Sequence, residues 1–178
     1  MTKSAEPDFL AGVRREIAHL SWLVGSWTGF GVGDSKTPEP YRYEEIVEFA
    51  SDGRDFLEYR SVMWLVDDEG NRIAPGRTES GFFRGLADNH VEAFIAHPTG
   101  LVEVSMGQVV VAGLENAVIT DGSLVLRAAL LRNTETGEAL DASTRMFRLR
   151  EGRLFVAHDK AAPGESERNH YAIELVRK

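Results

Sequence analysis

The chain has 178 residues, no cysteine, and 28 acidic against 20 basic side chains, for a formal net charge of −8. The missing thiols exclude disulfides, thiolate catalysis and Cys-ligated zinc or iron–sulfur centres, so any metal has to be held by histidine, carboxylate or a cofactor. The acidic balance, with its basic residues scattered, argues against nucleic acid or an anionic membrane as partner, and no apolar run is long enough to span a bilayer. The first residues carry no apolar leader either, so a cytoplasmic protein is expected.

At the start of the chain, Leu10, Val13, Ile17 and Leu20 fall at helical spacing and predict a helix over residues 7–19, lying across one mouth or flank of the domain. The domain reading is a tail and helix over 1–20 and one folded unit over 21–178. Trp22, Leu23 and Val24 then lead into Gly25-Ser-Trp27-Thr-Gly29-Phe-Gly31, the first strand. Trp27, Gly29 and Gly31 share one parity, so an indole fills the interior while the glycines let a neighbouring backbone come close. The following Gly-Asp-Ser-Lys36-Thr37 superficially resembles a phosphate loop. It lacks a glycine directly before Lys36, and Pro38 and Pro40 deny it the helix a phosphate site needs.

After Pro40 the pattern is strands divided by turns: Tyr41–Ala50, Phe56–Val66, Arg77–Arg84, Val91–Ala96, Leu101–Met106, Gln108–Ala112, Asn116–Thr120, Leu124–Arg132, Ala142–Arg150, Leu154–Lys160 and Tyr171–Arg177. Asp121-Gly122 and Glu151-Gly152 read as tight hairpins. A meander this long, with so little helix to cover it, has to roll up to remove its edges. The expected fold is therefore all-β: an up-and-down antiparallel barrel of about ten strands, like the calycins and fatty-acid-binding proteins, with an N-terminal helix. A barrel of that size usually keeps a cavity, where function should be sought.

No pair among His19, His90, His97, His158 and His170 has helical zinc spacing, and no serine sits in a nucleophile elbow. His19 and His90 are expected to be ordinary surface residues.

The first-strand motif, with Thr37 before a Pro-rich turn and the aromatic Tyr41-Arg-Tyr43 strand, resembles the nitrobindin family. Glu79-Ser-Gly81-Phe-Phe-Arg84, Ala96-His-Pro-Thr-Gly100-Leu-Val-Glu103 and Asn169-His170-Tyr171 extend the resemblance over about residues 20–178. It implies one haem b per chain, with His170 as axial ligand to the iron and Thr37 bonding a propionate. It further implies nitric oxide binding and isomerisation of peroxynitrite to nitrate. Apart from the resemblance, a homodimer is open, with Trp64 either at a dimer face or in the core.

By the same resemblance, Arg77, His97, His158 and Lys160 line the pocket, and Arg77, His158 and Lys160 replace groups that many members carry differently. In the last strand Tyr171, Ile173 and Leu175 form the apolar parity, so His170 would face outward unless a bulge re-aims it. The alternative is a haem-free carrier of a small amphiphile or anion, with Arg77, Lys160 and Arg145 as carboxylate anchor.

Overall fold

The computed structural model describes residues 12–33 and 41–178. A 3-10 helix, Arg15–Leu23, precedes ten strands: β1 (Gly25–Gly33), β2 (Tyr41–Ala50), β3 (Phe56–Val66), β4 (Arg72–Gly85), β5 (His90–Ala96), β6 (Leu101–Glu115), β7 (Val118–Asn133), β8 (Ala142–Arg150), β9 (Arg153–Ala161) and β10 (Arg168–Arg177). Each pairs antiparallel with the next, and β10 returns to β1, closing the barrel expected from the sequence.

The helix differs from its expected form. Its described part runs to Leu23, with Ile17 off helical geometry, while Leu10 lies outside the described residues. Ile17, Leu20 and Leu23, all fully buried, recur every three residues, the period of a 3-10 turn. They plug one end of the barrel, where the Trp27 indole donates to the Leu23 carbonyl at 2.8 Å.

The strand pattern needs one correction. Asp121-Gly122 is not a hairpin: β7 runs straight through it, and the chain reverses instead at Asn116-Ala117, both in left-handed backbone (φ 49° and 65°). Alanine gives no turn signal, so four expected strands merge into two. Glu151-Gly152, with φ of 52° and 74°, is the hairpin expected.

Alternation sorts the side chains. Along β2, Tyr43, Glu45, Val47 and Phe49 face inward and are buried, while Arg42, Glu48 and Ala50 are exposed. At the plugged end the inward residues are apolar and form a floor. Phe49, Phe83 and Phe147 meet edge to face, at 5.1 Å for Phe49–Phe83 and 5.7 Å for Phe83–Phe147, each contact adding about 0.5–1.5 kcal/mol to the area it buries. The β1 glycines admit close neighbours. A Cβ on Gly29 would stand 2.2 Å from the Glu174 carbonyl oxygen, and one on Gly31 2.5 Å from the Tyr43 ring.

Trp64 stands half-buried on the outer wall, with the Arg72 guanidinium 5.2 Å from its ring. Among the described residues no helix is long and apolar enough to cross a membrane.

Candidate functional site: a charged tier between an apolar floor and the barrel mouth

One pleat above the floor, the inward positions change character. Glu45 on β2, Ser61 on β3, Glu79 on β4, His97 just past β5, Glu103 on β6, Ser143 and Arg145 on β8, and His158 on β9 are all buried. The strand period that lines up the phenylalanines also lines up these polar groups on the same parity, Arg145 two residues before Phe147, Glu45 four before Phe49 and Glu79 four before Phe83.

Arg145 is the centre. It is 1% exposed, and its Nη1 donates to Glu79 Oε2 at 2.7 Å while Nη2 donates to Glu103 Oε1 at 2.6 Å. His97 Nε2 lies 2.6 Å from Glu103 Oε1, and the Tyr59 hydroxyl donates to Glu79 at 3.1 Å. Burial pushes the Glu79 carboxyl up, but the Arg145 and Arg77 guanidiniums and His97 outweigh it and hold the pKa at about 2. Burial opposes ionisation of Glu103 likewise, and the His97 hydrogen bond and Arg145 overcome it, keeping that group well below the usual carboxylate range. A buried guanidinium without those carboxylates would be prohibitively desolvated, so the cluster stands or falls together.

Arg77 forms the next layer toward the mouth. Its Nη2 donates to Glu45 Oε1 at 2.7 Å, where Ser61 Oγ also donates, and its guanidinium lies 3.8 Å above the Tyr171 ring. Lys160, 9% exposed, reaches Glu138 at 3.4 Å. Each of the three cations that a carrier would offer to a ligand carboxylate thus already faces a carboxylate of the chain.

His158 is fully buried, its Nε2 2.9 Å from Ser143 Oγ. Burial and then the positive charges of Arg145, Lys160 and Arg77 push its pKa well below 6.5, so the imidazole is neutral.

His170 sits at a break in the last strand. Register passes from Asn169↔Asp159 to Tyr171↔His158, which leaves His170 as the extra residue of a bulge. The Asn169 amide pins that bulge, donating to Asp159 at 2.8 Å and to the Tyr171 carbonyl at 3.2 Å. Tyr171 turns inward and is buried, whereas His170 is exposed. Partial burial, then Lys160 and Arg77, lower the His170 pKa, against an opposing Glu138. Those neighbours belong to the open end of the barrel.

Beside it the wall is thinly stitched: the β1–β10 ladder has two rungs, Trp27↔Arg177 and Thr28↔Val176, both toward the plugged end. Among the described residues, the upper halves of the two strands share no rung.

Of the residues expected from the sequence, Arg77, His97, His158 and Lys160 converge in this interior, and Thr37 lies outside the described residues. His19 and His90 make hydrogen bonds near the surface, His19 Nε2 to the His90 carbonyl and His90 Nδ1 to that of Ala87. Sequence reasoning passed over Glu45 and Ser143, met Glu79 and Glu103 only as motif residues with no role, and considered Arg145 only as an anchor. The available signal was a charge on the apolar parity: Arg145 alternates with Phe147 and Leu149, and Glu45 with Tyr43 and Val47.

Comparison with known proteins decides the family. Residues 16–177 match the family described as THAP4-like, heme-binding beta-barrel domain. The chain belongs to that family. A peroxynitrite isomerase of Nocardioides sp. is 34% identical over 89% of this chain and 90% of its own. A ferric nitrobindin-like protein of Kineococcus radiotolerans is 33% identical over 89% and 91%, and a peroxynitrite isomerase of Nocardia farcinica is 33% identical over 99% of both chains. In fold, the chain is similar to the crystal structure of Rv2717c from M. tuberculosis, with a TM-score of 0.81, 29% identity, and 93% of this chain and 99% of that one covered. The nitrobindin resemblance read from the motifs is thereby borne out.

The chain's residues fit a haem in their donor chemistry. A histidine that binds haem iron has to present an unprotonated ring nitrogen, and His170 stands exposed at the bulge with its pKa lowered by partial burial and by Lys160 and Arg77.

Proposed function

We propose that this chain holds one haem b through His170, with Thr37 at a propionate, binds nitric oxide there, and isomerises peroxynitrite to nitrate in the cytoplasm. The observation that carries this reading is the bulge at His170, which puts an imidazole kept neutral by its surroundings beside the half of the β1–β10 seam that has no ladder. Membership of a heme-binding barrel family, with relatives named peroxynitrite isomerase, supports it. When bound, ferric haem supplies a Lewis-acidic centre for rearrangement of the O–O bond.

The remaining work falls to side chains of the protein. Lys160 and Arg77 are the cations nearest His170, each with a carboxylate partner, Glu138 and Glu45, and a small anion entering there would compete with those carboxylates for them. The charged tier beneath is fully desolvated, so its fields are little screened.

The test is reconstitution. Full-length protein titrated with hemin should develop a saturable Soret band at one equivalent, and His170→Ala should lose it while retaining wild-type circular dichroism. If hemin yields no saturable band, or if His170→Ala binds it unchanged, the reading is overturned.

A further inference from the structure

The haem reading leaves part of the charged tier without a role. Among the described residues, Tyr43 Oη, Glu45 Oε2, Arg77 Nε, Arg145 Nε and His158 Nδ1 are buried and have no hydrogen-bond partner. Arg77 Nε is only 3.3 Å from Glu79 Oε1, but is not aligned to donate to it. Buried polar groups are almost always paired with protein or with an occupant. Five unpaired atoms on the inward faces of the barrel, in the tier and the layer above it, mark a place where a polar occupant belongs.

His158 restricts what that occupant can be. The Ser143 hydroxyl has one hydrogen and two neighbours, Glu103 Oε2 at 2.6 Å and His158 Nε2 at 2.9 Å. Glu103 is an ionised carboxylate and can only accept, so the hydrogen goes to Glu103. The Ser143 oxygen is then the acceptor, and His158 Nε2 has to carry a hydrogen and donate it. In a neutral imidazole this leaves Nδ1 as a bare lone pair. The order carboxylate, hydroxyl, imidazole is set from the Glu103 end, and Arg145 holds Glu103 in place.

A bare lone pair therefore shares the barrel interior with unpaired N–H and O–H donors, and the Arg77 charge acts on both His158 and Tyr43. Arg77 and His158 also stand against one ring: the guanidinium lies 3.8 Å over Tyr171, and the imidazole meets it at right angles with centroids 5.6 Å apart.

We propose that His158 Nδ1, Arg77 Nε and Tyr43 Oη form a subsite for a small oxyacid that still carries a proton, the acid O–H donating to His158 and its other oxygens accepting from Arg77 and Tyr43. An apolar guest leaves every one of these atoms unpaired. An aprotic oxyanion satisfies the donors but sets oxygen lone pairs against that of Nδ1, which is a repulsive contact.

This subsite deepens the proposed function and rests on it for its physiological ligand. Peroxynitrite in its protonated form meets the requirement and the nitrate product does not, so conversion removes the hydrogen bond that retains the substrate.

The experiment uses the full chain without added haem, labelled with 15N at histidine, and reads long-range 1H–15N correlations assigned through the backbone. His158 should appear as the Nε2–H tautomer at neutral pH. Sodium bicarbonate, a trigonal oxyanion with one O–H, should shift its Nδ1 resonance upfield and saturably. Sodium nitrate, trigonal and aprotic, should bind about tenfold more weakly, the worth of one hydrogen bond inside a protein, and leave Nδ1 unmoved. Ser143→Ala, which removes the hydroxyl and little volume, should let the second tautomer appear and weaken the bicarbonate response.

An Nδ1–H tautomer in the wild-type chain overturns the proposal. So do equal responses to the two anions, which mean a charge site only, and no response to either, which means that only water occupies the tier. No readout here involves haem, so this proposal and the Soret test can each fail alone.

Discussion

The floor and the charged tier are built on the same strands and the same parity, two to four residues apart, yet they are held together by opposite means. The floor is non-directional: Phe49, Phe83, Phe147 and their neighbours are stabilised by burial and by edge-to-face contacts, and any side chain of similar shape would serve. The tier is directional. Glu79, Glu103, Arg145, His97 and Ser143 are each fixed by named atoms at 2.6–2.7 Å, and desolvation penalises every charge left without its partner. The floor thus makes the barrel stable, and the tier makes its interior specific.

The largest effect expected from breaking this contrast is at its centre. Arg145→Met leaves Glu79 and Glu103 buried without their cation and should cost about 4–5 kcal/mol in urea denaturation, the upper end for a severed buried pair because two carboxylates are stranded. Restoring most of that loss by also replacing Glu79 and Glu103 with apolar residues would sharpen the contrast. A cost under about 1 kcal/mol would show that the tier is not held through Arg145.

Phe147→Ala, in the floor, should cost about 3–4 kcal/mol from lost burial and the cavity left behind. It should leave the His158 tautomer unchanged, since nothing in the floor donates to or accepts from Ser143.

The smallest effect is a pH dependence. The folded-state pKa of His158 is depressed, so below 6.5 the unfolded chain takes up a proton that the folded chain refuses, and stability falls as pH falls. Between pH 6.5 and about pH 5.5 this amounts to about 1 kcal/mol for a fully buried histidine. His19 and His170, also lowered, act in the same direction to a lesser extent. Glu79 has its ordinary value of 4.5 depressed to about 2, and its stabilisation, complete above pH 4.5, is lost as pH falls toward 2. Thermal melts over this range should show the first loss beginning near neutrality, and its slope should shrink in His158→Gln.

The fold was legible because the strand signals are local. Tyr41–Ala50 and Phe56–Val66 follow from alternation and the turns bounding them, and the need to close from the lack of helix. The Asn116-Ala117 turn was not legible, since alanine in a left-handed conformation is set by the hairpin around it. Nor was the shift of the helix toward Leu23, where three-residue spacing competes with the 3.6 period. In the site, the bulge at His170 could be stated as a condition because Tyr171, Ile173 and Leu175 fix the parity around it. The pairing of Arg145 with Glu79 and Glu103 joins residues 66 and 42 positions apart. No spacing rule reaches that far; what the chain displayed was only charge where an apolar residue was due.

Nine of the ten seams in the wall join strands that follow one another in the chain, and one joins the first to the last. During synthesis, hairpins can therefore zip up in order as they emerge, each closing a short loop, while the final seam must wait for the whole polypeptide. Until then the nascent sheet carries two raw edges, and the glycine-rich strand at one of them is paired with β2 on one side and with nothing on the other. With only two rungs to form, the closing event is a late and lightly bonded step, and chaperone dependence or aggregation during expression should concentrate in that interval.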